Sequence, residues 1–232
     1  TSFHVAPGRI FPSMTAGLWT SRHLPPPRPS SRRTARKSVN CMRRARGLDA
    51  VPLEKTRPVT SSGARGLLGA GFGVTPDHPD YDAMRVEFLD LYERNVCRET
   101  RLFPGMDQLL AELEKRKILW GVVTNKAERF TLPLLKGLGL DRRAACIVGG
   151  DTTPHLKPHP ASLQLASQRI SLPPSACLYV GDDERDMLAG RAAGMAVVVA
   201  VYGYLGQGKS PREWHADFWV EEPCDLLDHL PR

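Results

Sequence analysis

The apolar run Cys177-Leu178-Tyr179-Val180 stops at Gly181-Asp182-Asp183, and a third carboxylate, Asp186, follows one helical turn later. Carboxylates crowded at one strand end repel one another unless a cation sits among them, and hard oxygen donors of this kind suit Mg2+. Asp182, Asp183 and Asp186 are therefore candidate metal ligands. The alternative is a solvated turn in which Asp183 only caps the following helix.

Two other stretches carry complementary groups. Val122-Val123 runs into Thr124-Asn125-Lys126, which offers a hydroxyl and backbone N–H groups. Lys157-Pro158-His159-Pro160 sets a lysine immediately before a helix start. Hydrogen-bond donors, a fixed positive charge and a divalent cation are together what a phosphoryl group needs. Taken singly, Thr124 reads as a helix cap and Lys157 as a solvated loop residue. They gain meaning only if one fold brings the three stretches to a common edge.

The elements around them supply that edge. From Leu102-Phe103-Pro104-Gly105 onward, strands alternate with helices: a helix at 106–115, a strand at 118–123, a helix at 131–138, a strand at 146–148 and a helix at 160–170. A strand at 178–180, a helix at 186–193 and a strand at 196–201 follow. This alternation predicts right-handed βαβ units and a parallel sheet, whose strands all present their carboxyl ends on one side. Pro133 is expected near the first turn of its helix, where a missing N–H costs nothing. The region from Val39 to Thr100 is helical by pattern instead. Tyr81 to Val96 places Met84, Phe88, Leu89, Leu91, Tyr92 and Val96 at helical spacing, which predicts a small all-helical module.

A net charge of +7 suggests a nucleic-acid binder, but its distribution argues against one. Residues 1–46 hold ten Lys or Arg and no acid, Asp49 being the first carboxylate; the remainder carries 22 basic and 25 acidic residues. The globular part is mildly acidic, and no nucleic-acid partner is expected. No apolar run approaches the roughly 18 residues of a membrane span. The five cysteines are scattered without metal-ligand spacing. The expectation is a cytoplasmic protein with reduced thiols. Residues 1–37, rich in Pro, Ser and Arg, read as irregular: a basic arm, a transit peptide, or neither.

The three stretches resemble the motifs of haloacid-dehalogenase-superfamily phosphatases. Leu119 to Lys126 resembles the second motif, Lys157-Pro158-His159-Pro160 the third and Gly181 to Asp186 the fourth. Pro58 to Arg65 resembles the substrate loop of phosphoglycolate phosphatases. Gly194-Met195 and Tyr202-Gly203-Tyr204 fit that subfamily and the similar subgroup that dephosphorylates N-acetylmuramic acid 6-phosphate. The resemblance covers about 39–232. It implies an α/β fold, a Rossmann-like parallel-sheet core at 103–232 with a small helical cap at 38–102.

The resemblance also implies roles. Thr124, Asn125 and Lys157 form the catalytic set, Thr124 bonding the phosphoryl group and Lys157 neutralising it. Asp182 binds Mg2+ directly. Asp186 supports the metal or holds Lys157, and Asp183 shares in this. Ser62, Gly63 and Arg65 contact substrate, a small phosphorylated metabolite. The expected activity is Mg2+-dependent hydrolysis of a phosphomonoester, 2-phosphoglycolate first, with N-acetylmuramic acid 6-phosphate or another sugar phosphate as the alternative. A monomer or homodimer is expected.

The first motif of that superfamily, a strand followed by Asp-x-Asp-Gly-Thr, supplies the nucleophile, and no acidic residue here precedes Asp49. A catalytically dead phosphate-binding relative is thus a further reading. Codon arithmetic offers a reason for the gap. Met14-Thr15 and Trp19-Thr20 each yield an Asp codon when read one nucleotide earlier, and the two lie five codons apart. Residues 1–37 therefore read as the first motif translated out of frame.

Overall fold

The computed structural model describes residues 9–12, 30–56, 59, 62–95, 100–203, 205 and 209–230, with backbone alone at 9–12 and 30–34. They divide into two compact units, one of Pro27–Arg101 and one of Thr1–Pro26 with Leu102–Arg232.

The first of these is helical: α1 (Ser30–Ala45), α2 (Leu53–Thr56), α3 (Gly63–Phe72) and α4 (Tyr81–Asn95). Ala35, Val39 and Met42 recur at helical spacing on α1 and are buried, as are Leu67 and Leu68 of α3 and Met84, Phe88 and Tyr92 of α4. Gly71 lets α3 close on α1, since a Cβ there would lie 2.5 Å from Cγ1 of Val39. Gly73, at φ 72°, ends α3 in the left-handed conformation that glycine adopts without strain.

The other unit is a doubly covered parallel sheet. Its strands are β1 (Arg9–Pro12), β2 (Val122–Val123), β3 (Ile147–Val148), β4 (Cys177–Gly181), β5 (Ala196–Ala200) and β6 (Phe218–Val220). Strands β1-β4-β5-β6 form one ladder and β2-β3 a second, every pair parallel. Alternate residues serve opposite faces. Leu178, Val180, Val198 and Ala200 meet α5 (Met106–Lys115) through Leu109, Leu110 and Leu113, together with Leu135 of α6 (Glu128–Gly137). Cys177, Tyr179, Val197 and Val199 meet Leu163 and Ala166 of α7 (Ala161–Arg169) and Met187, Ala189 and Ala193 of α8 (Glu184–Ala193). Cover on both faces is why β4 reads as a continuous apolar run rather than an alternating one.

Helix α6 and the segment 1–37 differ from the sequence expectation for a physical reason, and β6 was not expected. Helix α6 starts at Glu128 rather than Thr131, because Oδ1 of Asp151, from the loop after β3, accepts the Glu128 N–H at 2.7 Å. A cap from 23 residues away is invisible to local pattern, and it leaves Pro133 deeper in the helix than its first turn. Within 1–37, expected to be irregular, the structure has two regular pieces. Arg9–Pro12 pairs with β4, Arg9 opposite Cys177 and Pro12 opposite Val180, and α1 begins at Ser30. A bare flank on β4 would leave buried backbone groups unpaired, and β1, with Pro12, stands at the end of its ladder. The rest of 1–37, including Met14-Thr15 and Trp19-Thr20, lies outside the described residues.

Candidate active site

The carboxyl ends of β2 and β4 gather the chemistry-bearing residues of the sheet unit. Thr124, directly after β2, is buried; its N–H donates to Val148 O at 3.0 Å, and its Oγ1 accepts from Lys126 N at 3.1 Å. Asn125 turns toward the loop that carries Lys157. Its Nδ2 donates to Lys157 O at 3.0 Å and its Oδ1 accepts the Lys157 N–H at 2.9 Å. One planar amide thus satisfies both main-chain groups of the lysine, as a neighbouring strand would.

The Lys157 side chain is enclosed. Its Nζ donates to Asp186 Oδ1 at 2.6 Å, to Tyr179 Oη at 2.7 Å and to Val123 O at 3.4 Å. A buried ammonium persists only when paired and hydrogen-bonded, and these acceptors meet that demand. Asp186 reaches it because Gly181 has no side chain: a Cβ there would lie 2.3 Å from Cβ of Asp186. Oδ2 of Asp186 accepts the Asp182 N–H at 3.3 Å, tying the end of β4 to the first turn of α8.

The three carboxylates have different surroundings. Asp183 caps α8, its Oδ1 accepting the Arg185 N–H at 3.0 Å, while the Arg185 guanidinium grips both oxygens at 2.8 and 2.7 Å. Burial alone would raise the Asp183 carboxyl; the bonds from Arg185 outweigh it and hold the group below the usual carboxylate range. Asp186 is given to Lys157. Asp182 is buried against Gly203, where a Cβ would lie 2.2 Å from its own. Burial, and then the Asp182 charge, push the nearby Tyr202 hydroxyl well up.

Among the described residues no group of three or more His, Cys, Asp or Glu could hold a metal ion. Of the described carboxylates at this strand end, Asp183 meets Arg185 and Asp186 meets Lys157, and a divalent ion on Asp182, with waters and ligand oxygens completing the shell, fits that donor set. Mg2+ tolerates that arrangement better than Ca2+ or Zn2+ does.

Thr124, Asn125, Lys157, Asp182, Asp183 and Asp186 therefore share one sheet edge. Ser62, Gly63 and Arg65 stand in the helical unit, at the start of α3. The Ser62 N–H donates to Val59 O at 3.0 Å, Gly63 has φ 61°, and all three are exposed. Pro58, Thr60 and Ser61 of the same loop lie outside the described residues, as does Tyr204. Sequence reasoning missed Tyr179 and Arg185. A tyrosine in an otherwise aliphatic buried strand was the available signal, because its hydroxyl must find a partner.

A model of haloacid dehalogenase-like hydrolases matches residues 67–200. The N-acetylmuramic acid 6-phosphate phosphatase of Pseudomonas putida is 41% identical over 181 residues, 78% of this chain and 81% of that protein. The phosphoglycolate phosphatase of Xanthomonas campestris pv. campestris is 42% identical over 191 residues, 82% of this chain and 86% of that protein. Among solved structures, a haloacid dehalogenase-like family hydrolase from Streptococcus pneumoniae superposes with a TM-score of 0.74 at 20% identity, covering 96% of this chain and 98% of the other. A subfamily IA hydrolase of the same superfamily from Geobacter sulfurreducens gives 0.73 at 19%, with 97% of each chain covered.

Proposed function

Because the chain belongs to the haloacid dehalogenase-like hydrolases, we propose that its site is that of a Mg2+-dependent phosphomonoester hydrolase. The substrate is a small phosphorylated metabolite in the cytoplasm: 2-phosphoglycolate first, N-acetylmuramic acid 6-phosphate or another sugar phosphate as the alternative. The enclosed Lys157–Asp186 pair beside Thr124 carries this reading. Thr124 as a hydrogen-bond donor and a fixed ammonium beside it together form the donor set that a phosphoryl group takes.

In this reading the Thr124 hydroxyl donates to a phosphoryl oxygen. Lys157 offsets the charge of the group, and Asn125 fixes the loop that presents it. Asp182 would hold Mg2+, and the ion would supply positive charge to offset that of the phosphoryl group. Substrate choice rests on Ser62, Gly63 and Arg65 of the helical unit at 38–102, and chemistry on the unit at 103–232. Arg65→Ala should shift the preference between phosphoglycolate and sugar phosphates while leaving p-nitrophenyl phosphate unaffected.

One observation favours a second reading, binding without turnover. Thr124, Lys157 and Mg2+ can stabilise charge but cannot create it; a nucleophile must. The strand paired with β4 on the flank away from β5 is Arg9-Ile10-Phe11-Pro12, followed in sequence by Ser13-Met14-Thr15, and no carboxylate precedes Asp49. Phosphate release from phosphoglycolate and from N-acetylmuramic acid 6-phosphate, measured with and without Mg2+ beside calorimetric binding of inorganic phosphate, separates the two. Turnover lost in Asp182→Asn supports the hydrolase. Binding without turnover supports the second reading, and replacing 1–37 by a strand ending in Asp-x-Asp-Gly-Thr should then confer activity. Neither binding nor turnover removes both.

A further inference from the structure

We infer that Tyr179 is a positioning residue for Lys157, holding its ammonium in place for a phosphoryl ligand. The inference rests on the reading of Lys157 as the residue that meets the phosphoryl group.

Tyr179 lies in the middle of β4 and is fully buried. Its ring packs on the face shared with α7 and α8, where a phenylalanine would fill the same space. Gly190 of α8 brings the helix down on that ring: a Cβ there would lie 3.5 Å from Cβ and from Cδ1 of Tyr179, and 2.3 Å from Cγ1 of Val197. The same approach delivers Asp186, one turn earlier on α8, to the phenol. The hydroxyl is therefore what the position adds beyond packing.

That hydroxyl works in both directions. It accepts from Lys157 Nζ at 2.7 Å and, as donor, faces Asp186 Oδ1 at 3.2 Å and Val123 O at 3.4 Å. Around Nζ, the Asp186 and Tyr179 bonds are short and that to Val123 O is long. An ammonium has three donors. A phosphoryl oxygen displacing the long one leaves two short bonds fixing Nζ from the protein side. Of the described bonds, those to Asp186 and Tyr179 are the two short ones, and the Tyr179 bond fixes a second direction at Nζ beside that of Asp186. The ring also stands 5.4 Å from Nζ, within range of a cation–π attraction.

Tyr179→Phe keeps the ring and removes the hydroxyl, and two readouts follow Lys157 independently. The first is calorimetric affinity for inorganic phosphate. Weakening of at least about tenfold is expected, the scale of losing one hydrogen bond to a charged group, with the circular dichroism spectrum of the parent retained. The second is acetylation of Lys157 by acetic anhydride, mapped by mass spectrometry; several-fold faster modification is expected, with Lys115 as an exposed internal reference. Unchanged phosphate affinity in a folded Tyr179→Phe overturns the inference. If the parent binds no phosphate, acetylation alone decides: equal Lys157 rates in parent and variant overturn the positioning role, and the proposed function fails only if the parent also turns over neither substrate. Should the variant not fold, the parent serves. A nuclear Overhauser contact between the Lys157 ammonium and the Tyr179 ring supports the inference if it survives saturation with phosphate, and its loss on phosphate binding overturns it.

Discussion

Nζ of Lys157 lies 2.6 Å from Oδ1 of Asp186, with the two side chains 2% and 3% exposed. Lys157 precedes α7 and Asp186 sits in the first turn of α8, so this pair joins two helices through the sheet edge. Removing one partner strands the other charge in the interior, at a cost of about 3–5 kcal/mol. Asp186→Ala is expected to lose that much in urea denaturation. The double variant Lys157→Met with Asp186→Leu is expected to recover most of the stability while losing phosphate binding. A double variant no more stable than Asp186→Ala would show that the pair is not the origin of the loss.

Asn125 acts on Lys157 through the main chain. Asn125→Ala leaves an N–H and a C=O without their partner, and about 1–3 kcal/mol of stability should go with them. The sharper readout is hydrogen exchange at the amide of residue 157, which should be protected in the parent and fast in the variant. Unchanged protection would mean that the bond to Asn125 does not persist in solution.

Two glycines should respond oppositely to alanine. At Gly181 the added Cβ meets Cβ of Asp186 at 2.3 Å, so β4 or α8 must shift; a loss of about 1–3 kcal/mol is the usual scale of such overpacking. At Gly69, inside α3, the nearest atom is Val74 O at 3.7 Å and the helix gains a better former, up to about 1 kcal/mol. Thermal melts should show Tm falling for Gly181→Ala and rising for Gly69→Ala. A harmless Gly181→Ala would contradict the close approach of Asp186.

Burial pushes the Cys146 thiol up to about 11, the nearby Arg169 opposing and Cys177 adding to the rise. The folded value lies above the unfolded one, so the neutral thiol's contribution is complete below about pH 8.5 and fades as pH climbs toward 11. Cys146→Ala should flatten stability across that alkaline window and change nothing of its slope below it. At pH 8, iodoacetamide should label exposed Cys41 quickly and spare Cys146. Equal labelling would show that the core at the start of β3 opens readily.

The sequence by itself determined the order of strands and helices from Leu102 to Val201 and the residues at the strand ends, while β6 (Phe218–Val220) was not expected. Apolar runs broken by Thr124-Asn125 and Gly181-Asp182 are local signals, and parallel strands put such ends on one edge whatever the packing details. Which cation Asp183 and Asp186 each meet was decided by tertiary structure. Asp182, Asp183 and Asp186 are alike in sequence, yet Asp183 is held by Arg185 and Asp186 by Lys157. Those pairings depend on how far α8 descends onto β4, which Gly181 and Gly190 permit. The cap that Asp151 places on α6, the amide of Asn125 on Lys157 and the hydroxyl of Tyr179 are likewise contacts across more than 20 residues of chain. No periodicity encodes them, because a hydrogen bond's partner is chosen by proximity after the sheet has formed. The parallel pairing of Arg9–Pro12 with β4 belongs to the same class: four residues carry little strand signal alone, and the unpaired flank of a buried strand gives them a place.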